Sequence, residues 1–134
     1  MFKPVRYEQG SVVEMQTGTS TTITKYDALV VSSGYVQRAV HTDTEIRFIA
    51  LEDVTTGGTG AHSAILCLRT DGIQFEADCT HDSAQSQVGT KVDLTDHDHL
   101  DNDSASTDYT FLIEALSGAT TNKKVLGSFV MKTA

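Results

Sequence analysis

The stretch Ala64-Ile65-Leu66-Cys67-Leu68-Arg69-Thr70-Asp71-Gly72-Ile73-Gln74-Phe75-Glu76-Ala77 decides the fold class. Two short apolar runs, Ala64–Arg69 and Ile73–Ala77, flank an Asp-Gly pair. A type I′ turn needs positive φ at its centre and glycine adopts it without a Cβ clash, so the stretch predicts a β-hairpin. Outward from it the same pattern recurs in both directions. Short apolar runs separated by Gly, Ser, Thr, Asn or Asp predict further strands at Gly10–Met15, Ala28–Val31, Tyr35–Val40, Ile46–Glu52, Lys91–Leu94, Thr110–Ala115 and Lys124–Met131. Turn signals stand at Ser32-Ser33-Gly34, Thr56-Gly57-Gly58 and Ser117-Gly118. No window carries a convincing helical period. The nearest is Asp82–Val88, where Asp82 would cap one turn over Ala84 and Val88 before Gly89 ends it.

The chain has 134 residues, the size of one domain. Its 39% apolar and 21% charged residues fit a packed fold better than a disordered polyelectrolyte. An abundance of Thr, which is β-branched, favours pleated strands. The formal net charge of −8 argues against nucleic acid as a partner, because phosphate binding needs a basic surface to release counterions. A membrane is equally disfavoured: no run approaches a spanning helix, and the start MFKPVRYEQG shows no apolar signal-peptide core. Manufacture in a cytosol is the expectation, with Cys67 and Cys79 as two buried thiols, since they show neither zinc-knuckle nor redox spacing; a disulfide between them is the alternative.

A weak internal repeat is visible. Gly10–Met15, Phe48–Glu52, a Gly-rich turn and Ala64–Leu68 in the first half resemble Val88–Leu94, Phe111–Leu116, Ser117–Asn122 and Val125–Met131 in the second. Each half makes a small sheet that cannot bury its face alone, and two packed together make one barrel or sandwich.

Charge is concentrated between Asp71 and Asp108, where ten acidic residues face one basic residue, Lys91. Within it, Thr95–Thr107 has too few apolar residues for core and is expected as an exposed loop. Its run Asp96-His97-Asp98-His99 would place both imidazoles on one side of a strand, the beginning of a metal site, but Lys91 stands where the cupin-type pattern needs Gly and only Asp103 is near the expected acid. An EF-hand fails too, since its fifth position falls on Leu100 or Ala105. The run Gly57–Gly60 lacks the Lys-Ser/Thr ending of a phosphate loop. No Gly-x-Ser-x-Gly elbow is present; His41, His62 and His81 read as isolated surface residues, and Glu45, Glu52, Glu76 and Glu114 as outward strand positions. The expectation is a protein without catalytic residues, metal or cofactor.

Residues 1–9 form an extended N-terminal arm in this reading, with 10–134 as the β-barrel-like domain. The arm joins Phe2 and Tyr7, aromatic surface of the kind enriched in binding hot spots, to Lys3 and Arg6, the local positive charge on an acidic protein; Pro4 disfavours a sheet interior. Deleting residues 1–7 is expected to leave folding nearly intact.

The order of phrases in the chain resembles the capsid decoration, or cement, proteins of tailed bacteriophages. The resemblance is carried by Gly10-Ser11-Val12-Val13-Glu14-Met15, Thr24-Lys25-Tyr26-Asp27-Ala28-Leu29-Val30-Val31, Ser33-Gly34-Tyr35-Val36 and Ile49-Ala50-Leu51-Glu52-Asp53, then Val88–Asp93 and Leu112–Leu116. Tyr26 departs from it, standing where such proteins often place Gly. The resemblance implies an all-β, barrel-like or β-tulip fold with an extension, no enzymatic activity, and homotrimers on the capsid exterior of a virion. There the protein would bind junctions between major capsid subunits, and Phe2, Lys3, Pro4, Arg6 and Tyr7 become the candidate capsid-binding residues. A tail-tube, fibre or head-completion module, or a small carbohydrate-binding domain, is the alternative; the absence of Trp weighs against the last. A metal-dependent barrel enzyme using His97 and His99 is third.

Overall fold

A computed structural model describes residues 1–103, 107–118 and 122–131. It is nearly all β. The strands are β1 (Phe2–Pro4), β2 (Val12–Gln16), β3 (Thr22–Ile23), β4 (Ala28–Ser32), β5 (Tyr35–Arg38), β6 (Phe48–Ala50), β7 (Val54–Thr55), β8 (Ala64–Arg69), β9 (Phe75–Asp78), β10 (Lys91–Leu94), β11 (Leu100–Asp101), β12 (Phe111–Leu116) and β13 (Lys124–Phe129). All nine predicted strands are present, with ends moved by a few residues. The one helical turn anticipated near Asp82–Val88 is a 3₁₀ turn at Gln85–Gln87, and the Gln87 side chain, not Asp82, holds its first free N–H at Ala84.

Two sheets follow the two halves of the sequence. The first has the order β2-β8-β6-β4-β5, all antiparallel. It curls until its ends meet, at a parallel bridge between Thr17 and Val36. The second runs β9-β13-β12-β10-β11, with β1 added on the outer side of β9. It too meets itself, at a parallel bridge between Cys79 and Leu100. Closure leaves few strand edges to solvent and gives each half an inside. The first half fills its own with Ile23, Leu29, Val36, Ala50, Ile65 and Cys67. The larger core cluster joins the halves, packing Ala28, Ile46, Ile49 and Leu68 with Phe75, Phe111, Val125 and Phe129. Burying each such side chain fully contributes about 1.5–3 kcal/mol, and neither half hides this shared face alone.

The repeat predicted from sequence is therefore real as topology. First, second, third, fourth and fifth strands of each half, β2, β4, β5, β6, β8 and β9, β10, β11, β12, β13, occupy the same places in their sheets. The backbone hydrogen bonds repeat as well. Tyr26 N–H to Ala50 O (2.7 Å) and Ala50 N–H to Asp27 O (3.0 Å) are matched by Gly89 N–H to Ile113 O (2.8 Å) and Ile113 N–H to Thr90 O (3.0 Å). Gly18 N–H to Val36 O is matched by Thr80 N–H to Leu100 O. Even the left-handed residue recurs, at Tyr26 (φ 72°) and Gly89 (φ 89°). Two of the sequence equivalences hold, β6 with β12 and β8 with β13. The third does not: the partner of the opening strand β2 is β9, while Lys91–Leu94 is the partner of β4. Short Val- and Leu-rich strands look alike in sequence, and only the ladder tells them apart.

The Asp71-Gly72 turn is a second correction. Gly72 does take positive φ, 70°, and Ile73 N–H returns to Thr70 O. Yet β8 pairs with β2 and β6, and β9 with β1 and β13, so this turn hands the chain from one sheet to the other instead of closing a hairpin. The true two-residue hairpin is Ser33-Gly34 between β4 and β5, with φ 52° and 86° and Ser32 opposite Tyr35.

The N-terminal residues differ most from expectation. They are extended, but β1 is a strand of the second sheet, with Phe2 opposite Ala77, Lys3 opposite Glu76 and Pro4 opposite Phe75. Phe2 is fully buried among aromatic rings, with centroids 5.1 Å from Phe129 and 6.1 Å from Phe111. Pro4 is tolerated because no strand pairs with the outer side of β1: its nitrogen faces away from β9, on the side where Phe2 N–H reaches Tyr26 O (3.0 Å), so no ladder bond is lost. Pairing with a distant segment, sequence separation more than seventy, is what no local pattern announces.

Candidate functional site

The five candidate capsid-binding residues divide by burial. Phe2 and Pro4 face inward and belong to the fold, which corrects their assignment to a docking surface. Lys3, Arg6 and Tyr7 are exposed, and Val5 joins them with 56% of its surface open. The segment is held at its root by Val5 N–H to Gln74 O (2.9 Å), and the chain then runs exposed from Arg6 to Gly10 before β2. A shallow cleft beside it is lined by Lys3, Pro4, Val5, Glu76, Ser117 and Leu126. Among the described residues, three of the seven exposed large apolar side chains, Met1, Val5 and Tyr7, fall in the first seven positions, so this end of the protein presents apolar and basic surface together.

The Asp/His run is not a solvated excursion. Leu100 is fully buried in β11, which pairs with β10, and Asn102 is buried as a hub. Its Oδ1 accepts His81 N–H (3.0 Å) and its Nδ2 donates to His81 O (3.0 Å), fixing the 81–87 segment to β11. Asp93 accepts N–H groups of Thr107 (2.9 Å), Asp108 (3.0 Å) and Tyr109 (2.9 Å). Burial alone would raise the Asp93 pKa; these hydrogen bonds prevail and hold it below the usual value. Alternation of polar residues cannot show that a carboxylate is satisfied by backbone, and for that reason the sequence suggested open loop. Residues 104–106 lie outside the described residues.

His97 and His99 stand in the bend between β10 and β11, not on a strand that would set both imidazoles on one side. Asp96 Oδ1 accepts the N–H groups of Asp98 (3.0 Å) and His99 (3.1 Å), and the bend this makes puts Asp98 between the two imidazoles, 2.7 Å from His99 Nδ1 and 3.9 Å from His97 Nε2. The bend is docked on the first half by Ala28 N–H to His97 O (2.7 Å), which brings buried Asp27 close. Two triads, Asp27–His97–Asp98 and Asp96–Asp98–His99, hold ligand-type atoms within 4.8 Å of one another. Either could approach a divalent cation. Asp27, however, already accepts Arg38 Nε (2.8 Å) and Thr24 N–H (2.8 Å), so its carboxylate is neutralised from within the protein. Hydrogen bonding with Asp96 and His99 and the charge of both histidines hold Asp98 below its usual pKa against the opposing effect of burial. The arrangement reads first as a polar joint between the two halves.

A cleft lined by Asp43, Thr44, Glu45, Arg47 and Phe48 holds two carboxylates, and both are engaged: Asp43 Oδ2 accepts Val40 N–H (2.7 Å) and Glu45 Oε1 accepts Arg47 Nη2 (2.6 Å). Both cysteines are buried and free, in different clusters, and burial pushes each thiol up to about 12, so neither serves as a nucleophile near neutral pH. His62 is less isolated than its sequence context implied: its ring stacks on Tyr35 with centroids 3.9 Å apart, and Nδ1 lies 2.7 Å from Thr17 O. It braces the closing bridge of the first half. No family model and no curated protein matches the chain. What the fold and the site define is a class: a small all-β protein, built of two like halves, with a mixed apolar and basic surface at its N-terminal end.

Proposed function

We propose that the protein is a structural virion component that decorates and stabilises a tailed-phage capsid, binding as a homotrimer on the capsid exterior at junctions between major capsid subunits, without catalytic activity. The reading comes from the order of sequence phrases given above. The structural observation that carries it furthest is the clustering of Met1, Val5 and Tyr7 with Lys3 and Arg6 on one exposed segment of a protein of net charge −8. Rigid apolar anchors beside local positive charge suit an acidic partner surface that the rest of the molecule would repel. Closed sheets suit a brace under load, because they offer few edges from which to unravel.

The test is co-sedimentation with undecorated heads, using substitutions that spare the core. Val5→Asp, Arg6→Glu and Tyr7→Ala should each leave the thermal midpoint within a few degrees while weakening decoration, by roughly tenfold for each lost anchor of about 1.4 kcal/mol. Native mass spectrometry reads the trimer. Failure of the wild-type protein to bind any head, or a monomer at all concentrations, would remove the proposal.

A further inference from the structure

One difference between the two halves lies on the outer side of the first strand. In the second half, Gln74, Glu76 and Asp78 turn their backbone groups outward, and β1 covers them: Val5 N–H reaches Gln74 O, Lys3 lies opposite Glu76, and Asp78 N–H reaches Met1 O (3.2 Å). The corresponding residues of the first half are Val12, Glu14 and Gln16, in register because Thr17 matches Cys79 at the closing bridge. Their backbone groups also face outward. Leu66 gives its N–H to Glu52 Oε1 and its O to Leu51 N–H, and Thr17 N–H goes to Ser63 O, so by alternation Val13 and Met15 make the bonds to β8 and Glu14 and Gln16 do not. Among the described residues that side of β2 meets another strand only at its end, where Thr17 bridges Val36 of β5 as Cys79 bridges Leu100 in the second half; Val12 N–H is taken by Gln9 O, and no strand pairs with Glu14 on that side.

A separate observation marks the same place. Phe75 and Ala77, the inward residues of β9, are fully buried, whereas their counterparts Val13 and Met15 stay half-exposed. The difference is what Phe2 and Pro4 supply in the second half, an apolar cover from the added strand. We propose that the open edge of β2 is a strand-addition site for an extended segment of a partner protein with the alternation apolar, Lys or Arg, apolar. The basic residue lies opposite Glu14 as Lys3 lies opposite Glu76, and the flanking apolar residues cover Met15 and Val13. Edge-to-edge pairing of two copies is opposed by Glu14 itself, since like charges placed across a ladder repel. The inference rests on the decoration reading only in assigning this segment to a shell subunit, and the experiment below needs no shell.

The structure supplies its own probe, the peptide Met-Phe-Lys-Pro-Val-Arg-Tyr-Glu of residues 1–8, labelled at its C-terminus. Titrated onto the full-length protein, it should bind saturably, shifting and protecting the amides of Glu14 and Gln16 by NMR while those of Glu76 and Asp78 stay put; the protein's own β1, being tethered, keeps its place. Glu14→Lys, a substitution of an exposed residue, should weaken the peptide about five-fold, and a peptide carrying Lys3→Glu should recover the loss. A scrambled peptide should not bind. No saturation up to about 1 mM, shifts at Glu76 and Asp78 instead, equal binding by the scrambled peptide, or concentration-dependent self-association through Glu14 and Gln16 without peptide would each overturn the proposal. Failure of the protein to bind heads alongside success here would remove the shell assignment and leave the site.

Discussion

Replacing Phe2 with Ala tests whether the N-terminal residues are arm or core. Phe2 has no exposed surface and packs against Phe111 and Phe129, which in turn contact each other at 5.1 Å, with Phe75 5.3 Å from Phe129. Truncating a buried Phe to Ala costs about 3–5 kcal/mol through lost transfer energy and the cavity left behind. The Phe2 ring's packing against its two aromatic neighbours is included in that range. A domain has about 5–15 kcal/mol of stability in total, so the variant should retain a fold but a fragile one. For a chain between the small and mid-sized classes, about 3–5 °C per kcal/mol gives a fall in the thermal midpoint of roughly 10–25 °C. Removing residues 1–7 goes further, because it also strips the β1 ladder, Pro4 and the Met1 ammonium contact to Asp78 (2.7 Å). That truncation should not fold at 37 °C. The assay is thermal and urea unfolding followed by circular dichroism, with Lys3→Ala as the exposed control on the same strand. A midpoint for Phe2→Ala or the truncation within about 2 °C of wild type would refute the placement of β1 and restore a free arm.

Gly127→Ala should be far more damaging than a usual glycine substitution, because an added Cβ would stand 2.1 Å from Leu112 O and 2.5 Å from the Phe111 ring; a loss above about 3 kcal/mol, or no soluble protein, is expected by denaturant unfolding. Asp93→Asn should cost about 1 kcal/mol at pH 7 by weakening its bonds to the 107–109 backbone. Because the folded Asp93 pKa is depressed, that contribution is present above the unfolded value near 3.9 and lost as pH falls through the lower folded value; the variant's stability should converge on wild type below about pH 4, and a constant gap would contradict the cap. Asp78, held below its usual pKa by Lys124 (2.5 Å) and the Met1 ammonium despite burial, should add to the same acid limb, so Asp78→Asn should shallow it. Finally, Cys67 and Cys79 should be silent to a thiol reagent at pH 8 in the native state and react fully in denaturant; fast native reaction would deny their burial.

The strands themselves were legible in the sequence because a half-buried strand must write its environment into alternating residues. Lys91–Leu94 and Ala64–Arg69 were located to the residue, and the class all-β followed from them. The candidate docking segment was half legible: Lys3, Arg6 and Tyr7 are exposed as their chemistry suggests, but an aromatic such as Phe2 looks the same in sequence whether it anchors a partner or fills its own core. Partners in the ladder were not legible at all. Asp71-Gly72 specifies a turn, since only local backbone sterics are involved, but whether the next strand pairs with the last or crosses to the other sheet depends on apolar faces contributed from residues 2 to 129. The same limit hid the open side of β2. Val12–Gln16 and Phe75–Asp78 carry similar patterns, and which of the two receives β1 was decided by the packing of Phe2 against Phe111 and Phe129, a contact that exists only when distant segments have been brought together.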